Sequence, residues 1–149
     1  MKKLLCVLLS AIMILTMAAC GGKEQTATLT TDANGVSMEY VIEAKGDIVH
    51  TITQTSTIDC SIYTEEQIAM IEESVAMYQA QYDLIDGVKY TAGVEGTNFI
   101  EKIVIDASSE DTLNTLSAQG LLPIEGDSSS VSLEKTVDNL VSQGWVLQD

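Results

Sequence analysis

The stretch VSMEYVIEAK, residues 36–45, alternates apolar and polar side chains along most of its length. The apolar set occupies every second position: Val36, Met38, Tyr40, Ile42 and Ala44. A two-residue period is typical of a strand that buries one face and leaves the other in water. The stretch therefore predicts a half-buried strand in an antiparallel sheet.

Turn signals on both sides of this strand predict its neighbours. Before it, Asp32-Ala33-Asn34-Gly35 supplies residues that tolerate positive φ, and residues 26–31 form a β-favouring run. After it, Gly46-Asp47 is typical of a two-residue hairpin turn, and residues 48–58 return as a third strand. That strand carries threonines at alternate positions: Thr51, Thr53, Thr55 and Thr57. The three segments predict a meander.

A helix signal follows the meander. Thr64-Glu65-Glu66-Gln67 matches a capping box, in which Thr and Gln side chains each satisfy a free backbone amide at a helix start. Apolar residues then recur at spacings of three and four: Ile68, Ile71, Val75, Tyr78 and Tyr82. Met70 and Met77 lie beside this stripe, and we expect them to widen its buried surface.

The rest of the chain predicts a hairpin and two helices. Residues 88–94 and 99–106 form two strand-like runs around a turn at 95–98. Ser108 or Ser109 caps a short helix, and Ser132 caps a last helix that ends before Gly144. The last helix presents Leu133, Val137, Leu140 and Val141 on one face, and Trp145 and Val146 return toward the core. We expect an α+β fold: an antiparallel sheet of about five strands with helices on one face.

The N-terminus has the pattern of a bacterial lipoprotein signal. Lys2 and Lys3 precede an apolar stretch, residues 4–19, that is shorter than the ~20 residues a membrane-spanning helix needs. It ends in Met17-Ala18-Ala19-Cys20, a lipobox with Met where Leu is usual. We expect a signal peptide at 1–19, lipidation at Cys20, a short tether at 20–25 and a single domain at 26–149. A plain signal peptide that ends beside a cysteine is the alternative.

Charge and cysteine content restrict the function further. Removal of Lys2 and Lys3 with the signal changes the formal charge from −15 to −17, and the chain has no arginine. We therefore expect no nucleic-acid partner, and we expect the membrane to be contacted through the lipid anchor. Cys60 is the one cysteine left besides Cys20, so no intramolecular disulfide is expected. Its isoleucine neighbours predict a small buried side chain.

The order of these segments resembles the YehR-like bacterial lipoproteins. The resemblance spans essentially the whole chain and rests on the lipobox, the meander and three later segments: YDLIDGVKY (82–90), KIVID (102–106) and the Gly144-Trp145 pair after the last helix. It implies a compact α+β fold with helices packed on an antiparallel sheet. It implies no catalytic residues, because none are recognised for such proteins.

Candidate chemistry is sparse along the chain. His50, the only histidine, shares strand parity with Ile48 and Ile52, which predicts a partly buried structural residue on the inner face. Asp106-Ala107-Ser108-Ser109-Glu110 and Asp127-Ser128-Ser129-Ser130-Val131 each depart from known metal loops at the fifth position. The threonine row is a hydroxyl-bearing face that suits a polysaccharide only if aromatic residues flank it. We expect no catalytic, metal or cofactor-binding residue.

These observations predict a membrane-anchored extracytoplasmic lipoprotein of a bacterium with low genomic GC content. Its domain is expected to be a non-catalytic binding module for an envelope protein or small ligand. One alternative is cation or small-solute binding by the acidic surface. A weaker alternative is an enzyme that acts on the cell wall.

Overall fold

The computed structural model describes residues 22–33, 35–121 and 130–149. Its strands are β1 (Glu24–Ala33), β2 (Val36–Lys45), β3 (Ile48–Asp59), β4 (Val88–Glu95), β5 (Asn98–Asp106) and β6 (Val146–Leu147). Its helices are α1 (Glu65–Tyr82), α2 (Glu110–Ala118) and α3 (Leu133–Ser142). The strands form one sheet in the order β4-β5-β3-β2-β1-β6. Every neighbouring pair is antiparallel, which confirms the expected α+β fold.

The predicted alternation of β2 is confirmed in the sheet. Tyr40 pairs with Leu29 of β1 and Gln54 of β3, and Ile42 pairs with Ala27 and Ile52. Directly paired residues point to the same side of a sheet, so these rows define one inner face. That face forms the core with α2 and α3, whose contributions are Leu113, Leu116, Leu133 and Leu140. The helices cover one face, as the sequence predicts.

β1 begins earlier than the sequence predicts. Glu24 pairs with Lys45 and Gln25 with Ala44, so the strand enters the segment 20–25 that the sequence assigns to the tether. The preceding residues also contact the domain, because Lys23 O accepts a hydrogen bond from Gly46 N at 2.9 Å. A side chain at Gly22 would collide with the Gly46 backbone, so only glycine permits this approach.

A bulge in β3 removes His50 from the inner face on which the sequence places it, although the side chain is partly buried as predicted. Glu43 lies opposite Thr51 whereas Ala44 lies opposite Val49, so β3 contains one extra residue at this point. An extra residue reverses the side to which the following side chains point. Val49 and Ile52 are therefore both buried, while Ile48 is exposed. His50 leaves the core, and its Nε2 lies 3.0 Å from Glu24 Oε2.

The capping box at the start of α1 is confirmed. Thr64 Oγ1 accepts from Gln67 N at 3.3 Å, and Gln67 Oε1 accepts from Thr64 N at 2.9 Å. The helix nevertheless packs loosely, since Tyr82 is its one buried residue. Ile68, Ile71 and Val75 are only half-buried.

The expectation that Met70 and Met77 add buried surface is wrong. Their exposed fractions are 68% and 65%. At about 100° per residue both side chains lie roughly 130° from the centre of the apolar stripe. α1 meets the sheet along that narrow stripe, so side chains at such an angle remain in water.

The last two helices begin at the predicted serines. Ser109 Oγ accepts from Thr112 N at 3.2 Å, and Ser132 Oγ accepts from Lys135 N at 3.2 Å. Val141, expected on the buried face of α3, is 47% exposed.

The C-terminal tail follows α3 through a turn at Gly144, where φ is 96°. Trp145 then packs on Tyr40 with ring centroids 4.7 Å apart, as expected for a residue that returns to the core. Val146 instead lies in β6, where it pairs with Thr30 of β1, and its side chain is exposed. This short strand raises the strand count to six.

Asp47 in the β2–β3 turn holds the start of α3. Its Oδ1 accepts from Glu134 N at 2.9 Å, and its Oδ2 accepts from Ser132 Oγ at 2.7 Å. These hydrogen bonds favour the charged carboxylate, with the Glu134 amide as the largest cause, and lower the pKa of Asp47. The hairpin turn therefore fixes the position of the last helix.

A hydrogen bond joins α2 to the turn between α1 and β4. Thr112 Oγ1 donates to Asp86 O at 2.8 Å. The neighbouring Gly87 has φ of 80°, and a Cβ there would collide with the Thr112 side chain. This contact holds the turn after α1 against α2.

Candidate functional site

A cavity of about 330 Å³ lies between α1 and the inner face of the sheet. Its lining residues are Gln54, Tyr78, Tyr82, Glu101, Ile103, Ile105 and Leu121. This volume falls at the lower end of the range of about 300–1,000 Å³ found for small-molecule sites. We refer to it below as the α1 cavity.

The sheet side of the α1 cavity follows from strand register. Glu101, Ile103 and Ile105 occupy alternate positions of β5 and share one face. Gln54 of β3 lies directly opposite Ile103, and Tyr90 of β4 lies opposite it on the other side. The floor is therefore a continuous patch of the inner face, with an apolar part and a polar part.

The helix side comes from two tyrosines one turn apart. Tyr78 and Tyr82 are separated by four residues and both line the α1 cavity; Tyr82 is buried, whereas Tyr78 is 45% exposed. The Tyr82 ring stacks on Tyr90 with centroids 5.2 Å apart and an interplanar angle of 12°. This stack holds the end of α1 over β4 and closes one side of the α1 cavity.

Glu101 supplies the one carboxylate among the lining residues. Its Oε1 accepts a hydrogen bond from Tyr90 OH at 2.8 Å. Burial first, and then this carboxylate, raise the pKa of Tyr90 well above its ordinary value. The pKa of Tyr82 is also raised, again mainly by burial and then by Glu101. Both phenols therefore remain protonated donors at neutral pH.

The lining residues include no basic side chain. Lys102 pairs with Thr55 and Thr91, and Lys89 pairs with Val104. These positions alternate with Glu101 and Ile103, so both lysines lie on the opposite face of the sheet. The arrangement offers a carboxylate, a carboxamide, aromatic rings and aliphatic surface to a ligand.

The sequence-based candidates lie elsewhere. Cys20 and Asp127 are outside the described residues. Asp106 Oδ1 accepts from Ser108 N at 3.0 Å, so this carboxylate orders the loop before α2. Cys60 is buried, as predicted. In the described part of the chain, no three His, Cys, Asp or Glu side chains are grouped so as to hold a metal ion.

The threonine row lies on the sheet face opposite the α1 cavity. Thr53 pairs with Val41 and Val104, and Thr55 pairs with Glu39 and Lys102. None of these partners is aromatic, so the row lacks the stacking surface that a polysaccharide platform needs.

Sequence reasoning missed the polar residues of the α1 cavity, although a signal was present. Glu101 has the same strand parity as Phe99, Ile103 and Ile105, so an acidic side chain occupies a position that predicts burial. Gln54 stands in the same way opposite Tyr40 and Ile103. A buried polar group carries a free-energy cost unless it is paired, so such a residue points to a structural or binding role.

Comparison with known proteins gives consistent results. Residues 25–146 match a family described as a protein of unknown function (DUF1307). The chain is 30% identical over 148 residues to the uncharacterized lipoprotein Lmo0207 of Listeria monocytogenes, and it is 27% identical over 148 residues to Lin0239 of Listeria innocua. Each match covers 97% of this chain and 95% of the relative.

A solved structure shares the fold. The NMR structure of the Escherichia coli YehR protein superposes with a TM-score of 0.63 at 20% identity and covers 86% of this chain and 93% of YehR. The resemblance to YehR-like lipoproteins drawn from the sequence is thereby confirmed. Among the relatives of the chain are uncharacterised lipoproteins, and its fold is that of YehR. The chain belongs to the DUF1307 family.

Proposed function

We propose that this protein is a lipid-anchored, extracytoplasmic binding protein that takes a small ligand into the α1 cavity without transforming it. The observation that carries the proposal is the cavity itself, which combines aliphatic and aromatic walls with a few convergent polar groups. Such a combination is characteristic of small-molecule sites.

Two observations support the anchor at Cys20. The lipobox ends at this residue, and two relatives of nearly full length are lipoproteins by name. No helix in the described ranges is long and apolar enough to span a membrane. Acylation at Cys20 supplies the buried methylenes that hold a protein on a bilayer, at ~0.8 kcal/mol each.

The anchor would also orient the domain. Gly22 lies against Gly46 in the β2–β3 turn, and Cys20 is two residues upstream. Two extended residues span about 7 Å, so a lipidated Cys20 keeps this turn close to the bilayer surface. The β1–β2 turn at the other end of the strands then points away from the membrane.

The composition of the α1 cavity favours binding over catalysis. General acid–base chemistry on a glycan uses two carboxylates, and nucleophilic catalysis uses a nucleophile beside a base. The lining residues comprise one carboxylate and no histidine, cysteine or serine. They can hydrogen-bond and desolvate a ligand, which is what a binding module requires.

A cavity-filling variant tests the proposal. N-phenyl-1-naphthylamine is a neutral fluorophore that brightens in apolar sites, and we expect it to brighten with the wild-type domain. Leu121→Trp places a larger side chain at the edge of the α1 cavity and should abolish most of the signal. Leu84→Trp adds the same ring at an exposed position just past α1 and should leave the signal unchanged.

The experiment has a clear contrary result. Absence of brightening with the wild type, or equal brightening with Leu121→Trp, would show that the α1 cavity does not take an apolar ligand. Circular dichroism of each variant checks that the domain remains folded.

A further inference from the structure

Building on the function proposed above, we infer that the α1 cavity selects ligands with a protonated amine on an apolar body, and that Glu101 receives the ammonium group. Three features carry this inference: the placement of Glu101, the absence of a cationic side chain among the residues that line the α1 cavity, and the aromatic and aliphatic residues in that lining.

Glu101 has a hydrogen-bond partner but no ion-pair partner among the described residues. Tyr90 OH donates to one of its oxygens, and the described ion pair is the distant His50–Glu24 contact. The sequence of residues 122–129, which follows Leu121, also contains no Lys, Arg or His. A half-buried carboxylate without a counter-charge favours a ligand that brings one.

The aromatic walls suit the same ligand. Tyr78 and Tyr82 line the α1 cavity beside Glu101, and the negative face of an aromatic ring attracts a cation. Ile103, Ile105 and Leu121 supply aliphatic surface for the uncharged part of the ligand. The ammonium and the apolar body of one molecule thus each find a matching part of the site.

Charge also disfavours the other ligand classes. An anionic ligand would meet Glu101 inside a chain whose formal charge is −15 before processing. A neutral ligand gains the apolar contacts but leaves the carboxylate without a counter-charge. The expected order of affinity is therefore cation, then neutral molecule, then anion.

Three small probes of matched shape test this order. 2-Phenylethylamine, 2-phenylethanol and 3-phenylpropanoate share a phenyl ring on a short chain and differ in the charge of the end group. We expect titration calorimetry at pH 7 to give the amine an affinity about tenfold higher than the alcohol, and the carboxylate the weakest binding.

Glu101→Gln removes the charge and retains an oxygen that can accept from Tyr90 OH. We expect this variant to bind the amine and the alcohol about equally, because the amine loses its counter-charge. Glu39→Gln removes the same charge from the opposite face of the sheet, where Glu39 pairs with Thr55, and should keep the tenfold preference. An equal loss of preference in both variants would assign it to the general acidic field and overturn the inference.

The wild-type comparison stands even if Glu101→Gln fails to fold. Equal binding of amine and alcohol, or no binding of the amine, overturns the inference. If N-phenyl-1-naphthylamine still binds in that case, the proposed function survives. If it does not, both fail.

Discussion

Tyr40 connects the sheet, the C-terminal tail and the α1 cavity. Its hydroxyl donates to Gln54 Oε1 at 2.9 Å, and its ring packs on Trp145. Burial, with a smaller contribution from Tyr82, raises the pKa of Tyr40 to about 12. Ionisation of the Tyr40 hydroxyl requires its exposure to water. The titration of this side chain is therefore sensitive to the packing of the domain.

Tyr40→Phe tests that packing through pH. An unfolded tyrosine has a pKa near 10, and the folded value is higher, so its contribution to stability is complete below pH ~10 and is lost as pH rises toward 12. We expect the free energy of unfolding in urea to fall less steeply above pH 10 in Tyr40→Phe than in the wild type. At pH 7 the lost hydrogen bond should lower stability by about 0.5–1.5 kcal/mol. Identical alkaline slopes would contradict this role.

Asp47→Ala tests the link between the β2–β3 turn and α3. Loss of the hydrogen bonds from Glu134 N and Ser132 Oγ should lower the free energy of unfolding at pH 7 by about 0.5–2 kcal/mol. The folded pKa is lowered, so this stabilisation is present above the unfolded pKa of ~3.9 and disappears as pH falls through the folded pKa. Asp138→Ala removes a charge from an exposed position of α3 and serves as the control. A deficit that persists unchanged at pH 2 would contradict the account.

At the residue scale the sequence predicts caps and core residues better than sites. Thr64 and Ser132 carry local signals, because a hydroxyl before an apolar period can satisfy only nearby amides. Glu101 lies near Tyr90 and Tyr82 only because β4 pairs with β5 and α1 packs on the sheet. No spacing of residues along the chain indicates that these side chains lie together, so the α1 cavity could not be predicted from the sequence.

Among the elements, α1 combines a strong start signal with weak packing. Its capping box begins the helix and the Tyr82–Tyr90 stack fixes its C-terminal end, where Tyr78 and Tyr82 line the α1 cavity. The three-and-four spacing predicts which side faces the sheet, but it cannot predict how closely the helix approaches. The sequence likewise does not predict the bulge in β3 or the two-residue strand β6, because neither produces a periodic pattern.

Two alanine substitutions distinguish the outer side of α1 from the core. Met70→Ala should change the free energy of unfolding by no more than about 0.5 kcal/mol, since the side chain is exposed. Leu116 of α2 is fully buried, so Leu116→Ala should lower the free energy of unfolding by about 2–5 kcal/mol. A cost above 2 kcal/mol for Met70→Ala would mean that the outer side of α1 is covered.

For the whole molecule, the proposed anchor at Cys20 would place the β2–β3 turn near the bilayer surface. The meander and the capped helices follow from sequence periodicity, and the family resemblance agrees with them. Lipidation at Cys20 is a proposal that the lipobox and the lipoprotein relatives support, since Cys20 lies upstream of the described residues.

Cys20→Ala tests the anchor in the native host. The variant should leave the membrane fraction, because the lipid cannot be attached, and its melting temperature should equal that of the unlipidated wild-type domain. Cys60→Ala alters the buried cysteine instead and should remain in the membrane fraction. Retention of Cys20→Ala on membranes, or an unmodified mature N-terminus by mass spectrometry, would refute lipidation at Cys20.

The most direct test of the binding site is an NMR measurement on isoleucine methyl groups in the presence of N-phenyl-1-naphthylamine. Ile103 and Ile105 line the α1 cavity, whereas Ile62 is exposed and Ile100 pairs with Thr57 on the opposite face. We predict nuclear Overhauser contacts from the probe ring to the methyls of Ile103 and Ile105. Contacts only to Ile62 or Ile100, or none to any isoleucine, would contradict a ligand site beneath α1.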